Sequence, residues 1–211
     1  MTKRDKVKRV LSLLDENYPT EDKCYLNHDN AWQLLVATIL SAQCTDDRVN
    51  MLTKDLFKKY RSVGDLASAD LETLMLDIRP AGFYRNKAKN IISCFQKIKS
   101  DFNSAIPSDI EELTSLAGVG RKTANVIRGH IFNIPSIVVD THVKRVSNKL
   151  GLVSSQDPEK IEFELMGILP KRHWVRYNTQ VIAHGRKICT ARSPKCEICF
   201  FNGLCSAYNM K

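Results

Sequence analysis

No stretch of this chain approaches the roughly 20 consecutive apolar residues that a membrane-spanning helix needs. The most apolar run, Leu34 to Leu40, has the length of a core helix. The N-terminal residues Met1-Thr-Lys-Arg-Asp-Lys lead into an amphipathic pattern with no apolar signal core, so an intracellular chain is expected. In a reducing compartment its seven cysteines do not make a disulfide framework, and their spacing is read for metal instead. Sustained period-two alternation, internal repeats and low-complexity tracts are missing as well.

Acidic residues are scarce where basic ones gather. The 32 Lys/Arg against 23 Asp/Glu give a net charge of +9, which favours a polyanionic partner: nucleic acid first, an anionic membrane surface second. Between Ala117 and Leu150 stand Arg121, Lys122, Arg128, Lys144, Arg145 and Lys149 against the single acid Asp140. From Lys171 to Lys211 eight basic residues face only Glu197. A solvated surface explains any one of these residues, but two such stretches point to nucleic acid.

What is present is helical periodicity, and the fold class is all-α. Val7, Val10, Leu11 and Leu14 share one face, and Trp32, Leu35, Val36, Ile39 and Leu40 repeat at i, i+3, i+4, i+7 and i+8. The second pattern stops near Ser41 to Thr45, and Thr45 or Asp46 caps a helix carrying Val49, Leu52, Leu56 and Phe57. Asp70 caps a short helix ending at Pro80-Ala-Gly82, and Lys87 to Ile98 is helical again. Ser108-Asp-Ile-Glu111 has capping-box spacing and opens a helix that ends at Leu116. After Gly120 a helix runs to about Phe132, before Pro135. Ile137-Val-Val is a short extended piece, Asp157-Pro158 opens another helix, and a last one covers Trp174 to His184.

The segment Gly118-Val119-Gly120-Arg121-Lys122 joins two helices through a tight turn. Glycines permit positive φ and leave room for a phosphate to reach backbone N–H groups, and the next helix adds unpaired donors and its dipole. Leu113 and Leu116 before the turn, and Ala124, Val126 and Ile127 after it, would pack the pair into a unit. It is not a mononucleotide loop, because the Gly-x-x-x-x-Gly-Lys-Ser/Thr spacing is absent. Lys122, in the first turn, sits where the helix dipole and Arg121 disfavour an ammonium, as a nucleophilic lysine requires; contact with a phosphate is the plainer reading. Asp140, eighteen residues on, precedes an apparent helix start and reads as an N-cap. A carboxylate so held is ionised, fixed in direction and able to stabilise positive charge on a sugar. Cys189-x6-Cys196-x2-Cys199-x5-Cys205 is the ligand set of a structural zinc or a [4Fe–4S] cluster, and the uneven gaps favour the larger cluster. Cys24, Cys44 and Cys94 lie in or beside apolar helical patterns and read as free thiols.

Leu116-Ala-Gly-Val-Gly-Arg-Lys-Thr-Ala-Asn-Val, followed by Val138-Val-Asp-Thr-His-Val, resembles the helix-hairpin-helix signature of the endonuclease III family of DNA glycosylases. Leu40-Ser-Ala-Gln-Cys-Thr-Asp46 and the C-terminal cysteines match the family as well, so the resemblance covers nearly the whole chain. It implies that Lys122 and Asp140 are catalytic and that Cys189, Cys196, Cys199 and Cys205 hold a [4Fe–4S] cluster that shapes a loop. On the residues themselves, Gly118, Val119, Gly120 and Arg121 at the turn, and Arg192 and Lys195 between the first two cysteines, read as DNA contacts, and Arg145, one turn past Asp140, as steadying phosphate or the carboxylate. Gln43 and Phe83 are implied as wedges that fill the gap left by a flipped nucleotide; the family commonly has leucine where Phe83 stands. On the residues alone, Gln43 could instead cap a helix C-terminus and Phe83 could be core, and His173 and His184 read as structural.

The implied architecture is a helical barrel of residues 24–134 with the hairpin at about 109–132. A second domain of residues 1–23 and 135–211 would hold the cluster, with the active site between the two. The implied activity is that of a bifunctional DNA glycosylase and AP lyase of base excision repair. It would remove oxidised pyrimidines and cut 3′ to the abasic site by β-elimination through a lysine Schiff base, with no need for Mg²⁺. Adenine-specific relatives lack the lysine. The expected partner is double-stranded DNA with damaged bases or abasic sites, bound by a monomer in the cytoplasm, associated with the nucleoid. A pyrimidine-dimer glycosylase of the same architecture and a non-catalytic, redox-sensing DNA-binding protein are the alternatives.

Overall fold

Helices account for the regular elements among the described residues, 1–19 and 24–209 of this computed structural model, and no strand occurs there. Lys211, counted above in the C-terminal basic stretch, lies outside them, as do residues 20–23. The chain divides into two compact units: Cys24–Asn133, and a discontinuous one made of Met1–Lys23 and Ile134–Lys211.

The first helix, α1 (Lys3–Asn17), starts at Thr2, whose hydroxyl accepts the Asp5 N–H. Its buried face is the expected one of Val7, Val10, Leu11 and Leu14, with Leu13 added. The contiguous unit then holds α2 (Ala31–Leu40), α3 (Asp46–Lys59), α4 (Val63–Ala67), α5 (Leu71–Asp77), α6 (Tyr84–Asp101), α7 (Ile110–Thr114) and α8 (Arg121–His130). Helix α2 is buried on every side from Gln33 to Leu40, as an apolar helix must be when it forms the middle of a core. It packs against α3, α6 and α8, while α6 lies along α4 and α5 and buries Ile91, Cys94, Phe95 and Ile98. Fully burying one such aliphatic or aromatic side chain contributes about 1.5–3 kcal/mol.

The discontinuous unit continues with α9 (Thr141–Leu150), α10 (Pro158–Ile168), α11 (Trp174–Lys187) and the short α12 (Ser206–Asn209). Helices α1 and α9 both pack on α11. Their shared core includes Val10, Leu14, Val143, Val146, Leu165, Tyr177 and Val181, and the buried Ser147 and Tyr177 hydroxyls satisfy each other at 2.8 Å.

Several boundaries differ from expectation. The cap of α7 is Asp109, not Ser108, because the Asp109 carboxylate accepts two N–H groups, from Glu111 at 2.8 Å and Glu112 at 3.1 Å. Helix α7 also stops at Thr114 rather than Leu116, and α8 at His130 rather than Phe132. Residues 137–139, expected to be extended, lie outside any helix and form no strand. Helices α4 and α12 were not anticipated. No helix among the described residues is long and apolar enough to cross a membrane.

Candidate active site

In the contiguous unit the α7–α8 hairpin presents its turn to solvent. Leu113, Leu116, Val119, Ala124 and Ile127 are buried and clamp the two helices together. Gly118 has φ +76°, and a Cβ there would sit 2.9 Å from Cβ of Asn90, so both conformation and space demand glycine. Gly120 is the N-cap of α8 with no capping side chain, and a Cβ there would meet nothing within 4 Å. The start of α8 is thus open at its cap, the arrangement that suits an anion. Gly118 and Gly120 are exposed, whereas the Val119 side chain belongs to the core and leaves only its backbone for a ligand. Lys122 is exposed in this first turn and takes part in no ion pair among the described residues.

Two further turns of the same unit carry exposed side chains on left-handed backbone: Gln43 at φ 55° and Phe83 at φ 48°. Phe83 is 65% exposed, which removes the core-packing reading. Gln43 is exposed one turn beyond the end of α2. Left-handed backbone is unfavourable for such side chains and gathers where structure is held for function.

In the discontinuous unit Asp140 is the N-cap of α9. Its Oδ1 accepts the N–H groups of His142 at 2.9 Å and Val143 at 2.7 Å, and its Oδ2 lies 3.2 Å from His142 Nδ1. With a proton on that nitrogen, His142 donates to the carboxylate. The side chain of Asp140 is 14% exposed, so its direction is fixed while one edge still reaches solvent. The chain leading to it is fixed from α11: the buried Asn178 amide donates to the Val138 carbonyl at 3.0 Å. Behind His142 stands Gly185, where a Cβ would come 2.7 Å from His142 Cδ2. Arg145 donates Nε to the Cys189 carbonyl at 3.2 Å, and Nη2 to the carbonyls of Gly185 at 3.1 Å and Cys189 at 2.9 Å. Its guanidinium therefore braces α9 against the end of α11. Sequence reasoning missed Asn178 and Gly185. The only trace of Asn178 is an amide inside the apolar pattern of Trp174, Tyr177 and Val181.

The four C-terminal cysteines line one largely apolar cavity of about 160 Å³, walled by Val146, Leu150, Ile188 and Phe201. Among the described residues no group of three or more His, Cys, Asp or Glu converges closely enough for a single ion. A zinc site would require that convergence, with Zn–S bonds of about 2.3 Å; a cluster with one iron per thiolate spreads its ligands around a larger body. Burial pushes the thiols of Cys189 and Cys199 up, a cost that binding of the cationic irons offsets by deprotonating them. His184, read as merely structural, lines the same cavity. Its Nε2 is 3.6 Å from Cys199 Sγ, its Nδ1 is 3.3 Å from the Tyr18 hydroxyl, and burial pushes its pKa down to about 4. Arg192 and Lys195 are exposed between the first two ligands. Cys24, Cys44 and Cys94 are free, and burial pushes the Cys94 thiol up to about 12.

Comparison with known proteins agrees with this geometry. The profile of the HhH-GPD superfamily of base excision DNA repair proteins matches residues 36–171. The chain is 44% identical to an endonuclease III of Synechocystis over 97% of its own length and 93% of the relative's. The chain belongs to the endonuclease III family. A Bacillus subtilis endonuclease III is 46% identical over 87% of this chain and 84% of that one. The iron–sulfur binding domain of endonuclease III matches residues 189–205, the span from Cys189 to Cys205. A solved endonuclease III, trapped as a covalent intermediate with DNA, superposes with a TM-score of 0.94 at 42% identity, covering 100% of this chain and 99% of that one. As an endonuclease III family member the chain is a base excision repair enzyme that carries a [4Fe–4S] cluster, and the matching iron–sulfur binding domain begins at Cys189 and ends at Cys205.

Proposed function

We infer that this enzyme is a bifunctional DNA glycosylase and AP lyase, that Lys122 is its nucleophile, and that oxidised pyrimidines are its substrates. The observation that carries the reading is Lys122 itself: an exposed amine outside any ion pair among the described residues, in the first turn of a helix whose glycine cap leaves it open to a phosphate. The Gly118–Gly120 turn holds the backbone of the damaged strand through main-chain N–H groups, which fixes position without reading sequence. Gln43 and Phe83 enter the duplex as the target nucleotide leaves the stack.

The reaction proceeds in balanced steps. The unprotonated Lys122 amine attacks C1′ as the bond from C1′ to the base breaks, and the base departs with a proton. The carboxylate of Asp140, held by the His142 and Val143 N–H groups and by the His142 ring when its Nδ1 carries a proton, stabilises the positive charge that develops on the sugar. Opening of the sugar ring gives a protonated imine between Lys122 and C1′. That imine acidifies C2′, loss of a C2′ proton breaks the bond between C3′ and oxygen, and the 3′ phosphate leaves. Water then frees the lysine. Cys189, Cys196, Cys199 and Cys205 would hold the cluster, which would give the loop bearing Arg192 and Lys195 a rigid centre. The enzyme acts as a monomer on double-stranded DNA in the cytoplasm.

Borohydride trapping on abasic DNA tests the assignment. The intact protein is expected to give a covalent adduct that Lys122→Ala abolishes while duplex binding persists; no adduct from the intact protein would sink the lyase. Base release across oxidised, alkylated and dimerised substrates tests the lesion class, with oxidised pyrimidines expected to turn over fastest.

A further inference from the structure

Lys87 is 5% exposed, lies inside the contiguous unit, and has no carboxylate partner among the described residues. Its ammonium instead donates to two main-chain carbonyls, Leu40 at 2.8 Å and Ala81 at 2.9 Å. Leu40 is the last residue of α2, so its carbonyl is one of those a helix leaves without an internal partner. Ala81 ends the 3₁₀ turn Arg79–Ala81. Both carbonyls stand at the negative ends of helical segments, where a cation is favoured. An apolar side chain would fill this space without taking an ammonium out of water, but would strand the two carbonyls. Burial also pushes Lys87 below the ordinary lysine range, so the amine is held there at a cost.

The residues just beyond the two carbonyls give the contact its meaning. Three residues past Leu40 stands Gln43, and two past Ala81 stands Phe83, both exposed and both on left-handed backbone. Lys87 also donates its own N–H to the Phe83 carbonyl at 3.1 Å. One residue therefore fixes the turn bearing Phe83 from two directions and ties it to the end of the helix that precedes Gln43. We propose that Lys87 is a positioning residue whose ammonium couples the Leu40 and Ala81 carbonyls, holding the Gln43 and Phe83 turns at one set spacing as a paired probe of the base stack. This rests on reading Gln43 and Phe83 as the residues that fill the gap in the duplex. The benefit of a set spacing is confined to substrates whose base must still be unstacked; a base already extrahelical needs no wedge.

The test compares two substrates. In single-turnover base release, Lys87→Met is expected to lose at least about ten-fold on a lesion paired within a duplex, but to stay within about two-fold on the same lesion in a three-nucleotide bulge. Lys87→Gln, which keeps one amide donor, is expected to fall between, and carries the comparison if Lys87→Met does not fold. Adding Phe83→Ala is expected to cost the intact protein activity on the paired lesion and to cost Lys87→Met little more, because the probe is already misplaced. Equal losses on both substrates, or fully additive losses, would overturn the proposal. Amide hydrogen exchange needs no DNA: residues 42–44 and 82–84 are expected to exchange faster in Lys87→Met while α8 keeps its protection, and unchanged exchange overturns the coupling. If the intact protein forms no borohydride adduct, the function reading fails, whereas the exchange result judges Lys87 on its own.

Discussion

Asp140 caps α9 and is proposed as a catalytic group, and substitution separates the two roles. As the N-cap of α9 it needs only an oxygen acceptor for the His142 and Val143 N–H groups; as a catalytic group it needs negative charge. Asp140→Asn is expected to melt close to the intact protein and to bind DNA, yet to lose most turnover. Asp140→Ala is expected to lose turnover and also about 1 kcal/mol of stability with the cap. Thermal melts beside single-turnover rates decide the matter, and unchanged turnover in Asp140→Asn would remove the residue from the mechanism. The cap was legible in the sequence because Asp before a periodic run is a local signal. The role of Arg145 was not: its acceptors lie some forty residues away at Gly185 and Cys189, and local pattern says nothing about where a long side chain ends. Val119 shows the same limit at short range, since a motif marks three residues of a turn without saying which one the core takes.

Helix starts show how local rules give way at the working surface. Asn30, Ser62, Asp70 and Asp109 cap α2, α4, α5 and α7 with side-chain oxygens, whereas Thr45, Phe83 and Gly120 give α3, α6 and α8 no side-chain bond. Those three starts lie at the turns of Gln43, Phe83 and Gly118, so within the contiguous unit the helix starts without a side-chain cap coincide with the turns assigned to DNA. Periodicity found the long helices, but α4, five residues with Gly64 inside, is too short to show a period. The close approach of α9 and α11 at Gly185 was equally invisible, because one glycine in a helix does not reveal its neighbour. Gly185→Ala is expected to force the His142 ring and the Arg145 guanidinium aside, costing about 1–3 kcal/mol as overpacking does. It is also expected to slow base release by disturbing the histidine that contacts Asp140. Unchanged melting and rate together would show that the two helices separate freely at this point.

At the scale of the whole molecule, charge and chain order matter most. The excess of basic residues supplies a binding term that carries no sequence information, and each phosphate contact adds close to one unit to the salt slope. Replacing exposed Arg192 or Lys195 with Ala is expected to weaken binding equally on damaged and undamaged duplex and to lower that slope by about 1; fluorescence anisotropy across salt concentrations measures both, and an unaltered slope would place the residue away from the backbone. Fold class was readable from periodicity; cysteine spacing left zinc or a [4Fe–4S] cluster, and the family resemblance decided between them. The pairing of α1 with α11 was not, since it joins residues far apart in sequence. That pairing has a consequence for biosynthesis. Residues 24–133 form a contiguous unit able to collapse while later residues are still being made, but α1, made before that unit, must wait for α11 to cover its apolar face. At 5–20 residues per second that delay is on the order of ten to forty seconds. Cys196, Cys199 and Cys205 arrive later still, so a chain released before Cys205 lacks part of the proposed cluster ligand set.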